Sequence, residues 1–166
     1  KDPKPPAPEA VKTISSKYGT GFSFTATAPE KPVPLPVIEI NQDSVAGNRR
    51  IVSLKIVPGR DVNRLEVFTN DTPILMASVN GIALSSYYLE HRRGDRLLTH
   101  YISDNDPTEF LLHFPADKPL QLTLYEASND LLNNPLFSVP ERPADLLPMP
   151  FVLNDAVLLI KTIRFD

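Results

Sequence analysis

Cysteine is absent from the 166 residues. That excludes disulfide frameworks and Cys-type zinc sites. It fits a reducing cytosol, or a periplasm in which the fold does without a staple. Tryptophan is absent too, so both hallmarks of true antibody domains are missing. No apolar run approaches the ~18–20 residues that span a bilayer, and the chain itself is expected to be soluble. Basic residues are not in excess: the net charge is −3, which speaks against a nucleic-acid binder. Helical windows rich in Ala and Leu are few. The chain begins at Lys1 without a methionine, and so reads as a piece of a longer protein; the lack of a signal or membrane segment here says nothing about that parent.

Catalytic signatures are missing as well. There is no G-x-S-x-G elbow, no P-loop and no G-x-G-x-x-G after a strand. The histidines, His91, His100 and His113, are too far apart for a local metal motif such as HExxH. His100 and His113 could face each other on adjacent strands, but a zinc site would need further ligands. Asp104 and Asp106 share one short segment, yet it lacks the Gly and distal Glu of an EF-hand and reads as an Asx-type turn. Nothing tunes the pair for acid–base work. A free-standing enzyme is therefore not expected, and this stretch should need no cofactor of its own.

What the chain has in plenty is proline, 18 of 166 residues, about double the usual ~5%. Proline suits loops and strand edges rather than helix interiors. The stretch Arg50 to Leu84 organises the rest. Val52, Leu54 and Ile56 alternate with Ser53 and Lys55, the period of a half-buried strand. Pro58-Gly59 predicts a type II turn. Leu65 and Val67 mark a second strand, and Ile74 to Val79 a third that ends in the hairpin signal Asn80-Gly81. The three together read as an antiparallel meander.

Before it, residues 1–10 (KDPKPPAPEA) form a Pro-rich linker. A weak strand is expected over Val11 to Tyr18, a good one from Phe22 to Ala26, and a rigid connector from Pro29 to Pro36. A short strand Val37 to Ile40 precedes a polar loop, Asn41 to Asn48. Beyond the meander, Tyr87 and Tyr88 with Arg92, Arg93 and Arg96 read as a solvated hairpin loop rather than a nucleic-acid patch. Leu97 to Ile102 is a strand. Phe110, Leu112 and Phe114 point one way, as do Leu120, Leu122 and Leu124, with a hairpin-length connection between them. Ser128 to Asn134 suits one capped helical turn. Pro135 to Pro150 is a long irregular arm with five prolines. Ala156 to Phe165 is the strongest strand, and its near-continuous apolar character predicts a central position. The sum is an all-β antiparallel sandwich over residues 11–166, immunoglobulin- or fibronectin-like, with about nine or ten strands and Pro-rich connectors.

Two stretches carry a resemblance. RRIVSLKIVPGRDVNRLEVF with the later SVNG, within residues 49–81, and LYEASNDLL through FSVPERPADLLPMPFVLNDAVLLIKTIRF, within residues 124–165, resemble the β-rich domain appended to some membrane-anchored zinc peptidases of metallopeptidase family 28. Those are relatives of the endoplasmic-reticulum metallopeptidase and vacuolar membrane protease, and the likeness points to bacterial members. In that arrangement a di-zinc aminopeptidase-like domain precedes several membrane helices, and the β-rich domain follows on the peptidase's side of the membrane. No position here matches the family's zinc ligands. The resemblance thus implies a non-catalytic, extracytoplasmic accessory domain, tethered through upstream helices, with zinc in the parent's peptidase domain.

The expected partner is that peptidase domain, or its peptide substrate. The expected contact surface is the arm, through Phe137, Arg142, Leu146, Leu147, Met149 and Phe151, together with Tyr87, Tyr88, Arg92 and Arg93. An arm that merely seals the open end of the sandwich is the plainer alternative. A carbohydrate- or peptide-binding module is the rival function. It needs an exposed aromatic platform, for which Tyr87, Tyr88 and Tyr101 are available.

Overall fold

The structure, a computed structural model, describes residues 12–13, 24–25, 30–148 and 153–166. The Pro-rich linker, most of the two N-terminal strand expectations, and Met149 and Phe151 of the arm lie outside the described residues. The chain divides into two compact units, Lys1–Pro32 and Val33–Asp166. In the first, β1 (Lys12–Thr13) pairs antiparallel with β2 (Phe24–Thr25).

The second unit is an antiparallel sandwich of nine strands, within the nine or ten expected. They are β3 (Val37–Ala46), β4 (Arg49–Val57), β5 (Arg64–Thr69), β6 (Met76–Val79), β7 (Ile82–Ala83), β8 (Arg96–Tyr101), β9 (Thr108–Pro115), β10 (Leu120–Ser128) and β11 (Val157–Phe165). One sheet runs β3-β4-β9-β6-β7 and the other β11-β10-β5-β8. A short helix, α1 (Ser86–His91), lies between β7 and β8 in the chain.

Alternation builds the core. Val52, Leu54 and Ile56 of β4 and Phe110, Leu112 and Phe114 of β9 fill the inner face of the first sheet. Leu65 and Val67 of β5 and Leu120, Leu122 and Leu124 of β10 fill that of the second. All eleven are at most 2% exposed, the signature of two sheets interlocking face to face. The turn Asn80-Gly81 has φ of +48° and +77°, the left-handed pair that a two-residue hairpin needs.

Several expectations give way. Arg50 to Leu84 is not a meander: β5 belongs to the opposite sheet, and β4 and β6 both flank β9. Connections 58–63 and 70–75 are long enough to cross the ~10 Å between sheets, and alternation marks the inner face without naming the sheet. For the same reason β9 and β10 do not form a hairpin; they sit in different sheets. Asn41 to Asn48 is no loop but the second half of β3, with a bulge between Ile40 and Gln42, and its turn onto β4. That half is polar because it is exposed at a sheet edge. Pro58-Gly59 makes no type II turn, since Gly59 lacks the positive φ. Glycine is needed there for another reason: a Cβ would lie 2.2 Å from the Leu35 carbonyl oxygen.

The C-terminal strand is also misplaced by its composition. β11 is an edge strand, paired only with β10. Val157, Leu159 and Phe165 are buried, but Leu158 and Ile160 stand 47% and 57% exposed. A continuous apolar run predicts cover on both faces; here one face is left open.

Candidate functional site

The expected contact residues fall into two groups, and the structure sets them apart. The first is α1 and the loop after it, which sequence periodicity misses because six residues are too few to show a helical repeat. Ser85 caps it, its Oγ accepting from the Tyr88 amide at 3.1 Å. Tyr88 is 40% exposed, but its hydroxyl donates to the Leu97 carbonyl at 2.7 Å. That bond and the packing of Leu89 against the core hold the helix to β8. Arg92 is half-buried and donates to Thr69 Oγ1 at 2.9 Å and to the Asp95 carbonyl at 3.2 Å. Tyr88 and Arg92 therefore tie the fold together. Tyr87 and Arg93 face solvent; Tyr87 stacks on His91 with ring centroids 4.2 Å apart.

The second group is the arm between β10 and β11. Its root is a chain of local bonds. Asn134 Nδ2 donates to Asp130 Oδ2 at 2.7 Å, the Leu136 amide donates to Asn134 Oδ1 at 3.0 Å, and the Phe137 amide donates to the Asn134 carbonyl at 3.1 Å. The expected single helical turn at 128–134 is a hydrogen-bonded turn, Asn133 to Asp130. Further on, Arg142 pairs with Asp155, and the Leu131 amide donates to the Asp155 carbonyl at 3.0 Å. Phe137 and Arg142 are half-buried. Leu146 and Leu147, on a turn closed from Leu146 to Pro143, are 57% and 88% exposed.

The groups occupy opposite ends of the β5 strand. Arg92 reaches Thr69, where β5 ends. The chain leaves β10 for the arm at Ser128, just past the Ala127–Arg64 pair where β5 begins. Five residue steps at ~3.3 Å put about 17 Å between those ends. One compact patch cannot contain both. His100 and His113 lie in different sheets. Among the described residues no group of three or more His, Asp or Glu side chains is placed to hold a metal ion. None of their helices is long and apolar enough to cross a membrane.

Two features were not anticipated. On the outer face of the second sheet, the Phe68 and Tyr125 rings meet at 4.9 Å between centroids with their planes tilted by 47°, and Ile160 sits opposite Tyr125. Alternation on β10 already aims Tyr125 outward; its pairing with Phe68 follows only from the register. The other is a buried ion pair. Glu126 is wholly buried, and Arg60 reaches it from the β4–β5 crossover, Nη1 to Oε2 at 3.2 Å. Arg60 Nη2 also donates to the carbonyls of Glu126 at 3.1 Å and Val157 at 3.4 Å. Burial pushes the Glu126 carboxyl up from its ordinary range, and the nearby Arg60 and Lys161 charges pull it back only in part. Its second oxygen, Oε1, has no partner among the described residues.

Comparison with protein families, curated proteins and solved structures finds no match to this chain. Function rests on the sequence and the geometry alone.

Proposed function

We propose that the chain is a non-catalytic, extracytoplasmic accessory domain of a membrane-anchored zinc peptidase of metallopeptidase family 28, and that it positions or caps the peptidase domain. The stretches at 49–81 and 124–165 support the family reading. In that reading the zinc belongs to the parent's peptidase domain, since no position of this chain matches the family's zinc ligands. Docking is assigned to the tip of the arm. The observation that carries it is the pair Leu146 and Leu147, 57% and 88% exposed on an arm whose root is tied by Arg142–Asp155. Adjacent leucines held in water on a stiffened arm gain apolar burial when a partner covers them, and little backbone entropy is lost.

The test replaces Leu146 and Leu147 together with Ser, in the isolated chain and in the intact parent. The isolated chain should keep its Tm, since exposed substitutions cost within about 0.5 kcal/mol, while parent peptidase activity falls several-fold. A lowered Tm would make the tip a seal of the sandwich. Unchanged activity would remove it from any docking surface.

A further inference from the structure

Where β5 begins and β8 ends, the fold leaves an open cavity of about 530 Å³, within the size range of small-ligand sites. Among the described residues its walls are Asn63 and Arg64 at the head of β5, Tyr101 at the end of β8, Asn129, Leu132 and Asn133 after β10, and Pro148 with Leu153 to Asp155 on the arm. We propose that this cavity binds a neutral oligosaccharide.

Both charged groups in the described wall have a partner: Arg64 Nη2 donates to Glu66 Oε2 at 3.1 Å, a carboxylate it shares with Arg96, and Asp155 is paired with Arg142. The rest of the described wall is uncharged. Asn63 uses its Oδ1 to accept from the Asn129 amide at 2.7 Å, which leaves its NH2 group to donate. The side chains of Asn129 and Asn133 line the same space. A carboxamide offers two donors and an acceptor in one plane, the complement of neighbouring hydroxyls that each donate and accept. Tyr101 adds a ring that is 72% exposed at the rim. Such a ring can cover the C–H face of a pyranose and hydrogen-bond through its hydroxyl. Leu132 and Leu153 supply apolar wall.

The wall is also held in place. The Asn63 amide donates to the Ala127 carbonyl at 2.9 Å, and its carbonyl accepts from the Ile102 amide at 3.0 Å. Tyr101 is registered opposite Arg64. Groups fixed in advance lose little freedom on binding. A peptide draws affinity from main-chain bonds along an open strand; the groups gathered here are side-chain amides and a phenol.

The test is an amide-resolved NMR titration of the full chain. Cellohexaose, maltohexaose, chitohexaose and a blocked hexapeptide are added separately, each up to about 10 mM. At least one sugar should shift the signals of Asn63, Tyr101, Asn129 and Asn133 saturably. Tyr101→Ala should weaken that binding about ten-fold, or roughly 1.4 kcal/mol, with Tm unchanged. The proposal is overturned if no sugar shifts these signals, if only signals elsewhere move, if the peptide alone binds, or if Tyr101→Ala binds as well as the parent sequence. The readout is independent of docking to a peptidase domain, so either reading can fail alone.

Discussion

Glu126 occupies a place that alternation reserves for an apolar side chain, next in line after Leu120, Leu122 and Leu124. Arg60, with a smaller contribution from the Lys161 charge, makes it tolerable there, and the consequence is a pH dependence with a definite sign. Burial holds the folded-state carboxyl above its ordinary range. As pH rises from that ordinary range, the unfolded chain loses its proton first, so folding stability falls across the window up to the raised value. The Asp43 carboxyl runs the opposite way. The Arg50 hydrogen bonds, at 2.7 and 2.8 Å, hold it below its ordinary range, so its contribution is present at neutral pH and is lost on acidification; partial exposure keeps it small. Removing one partner of a buried pair costs about 3–5 kcal/mol. Arg60→Met should therefore lose that much near pH 8, and clearly less near pH 5, where Glu126 can take up a proton. Urea unfolding at the two pH values measures it. Equal losses at both would mean that Glu126 carries no charge in the folded protein.

At the scale of elements, β11 shows how an edge strand can matter as much as a central one. Nine of its residues pair with β10, and Val157, Leu159 and Phe165 are buried. Phe165 lies 6.4 Å from Phe114, and the Arg50 guanidinium stands within 5.9 Å of both rings. Each large apolar side chain is worth about 1.5–3 kcal/mol on full burial, so three rival a domain's whole stability of ~5–15 kcal/mol. A chain truncated after Asp155 should show no cooperative thermal transition by circular dichroism. A transition near that of the full chain would make the strand dispensable. The inner faces of β4, β9 and β10 were legible in the sequence because alternation is a local property. Sheet membership was not, because β4 and β5 read alike whichever sheet each joins. α1 was hidden by its brevity, with the Ser85 cap as its one signal. Of the candidate site, the arm and its leucines were legible from proline and apolar content. The Asn63–Asn129–Asn133 wall was not, since it is assembled by register and crossovers between residues far apart in the chain.

For the whole molecule, the question is how much of the chain the sandwich needs. Every buried residue among those whose burial is described lies between Pro36 and Phe165, and the chain divides at Pro32 and Val33. The ties that close the sandwich's margin are also internal to the second unit: Lys161 Nζ donates to the Pro36 carbonyl at 3.0 Å, Gly59 lies against Leu35, and Arg50 bonds to the Asp166 carbonyl. An accessory domain reached through a proline-rich connector should not draw its stability from that connector. Residues 33–166 alone are therefore expected to unfold in one cooperative transition with a Tm within about 4 °C of the full chain's, the span that ~1 kcal/mol produces at this size. Scanning calorimetry of the two chains decides it. A fall of more than about 8 °C, corresponding to ~2 kcal/mol or more, would show that residues before Val33 complete the core and would replace the tethered domain with one continuous fold.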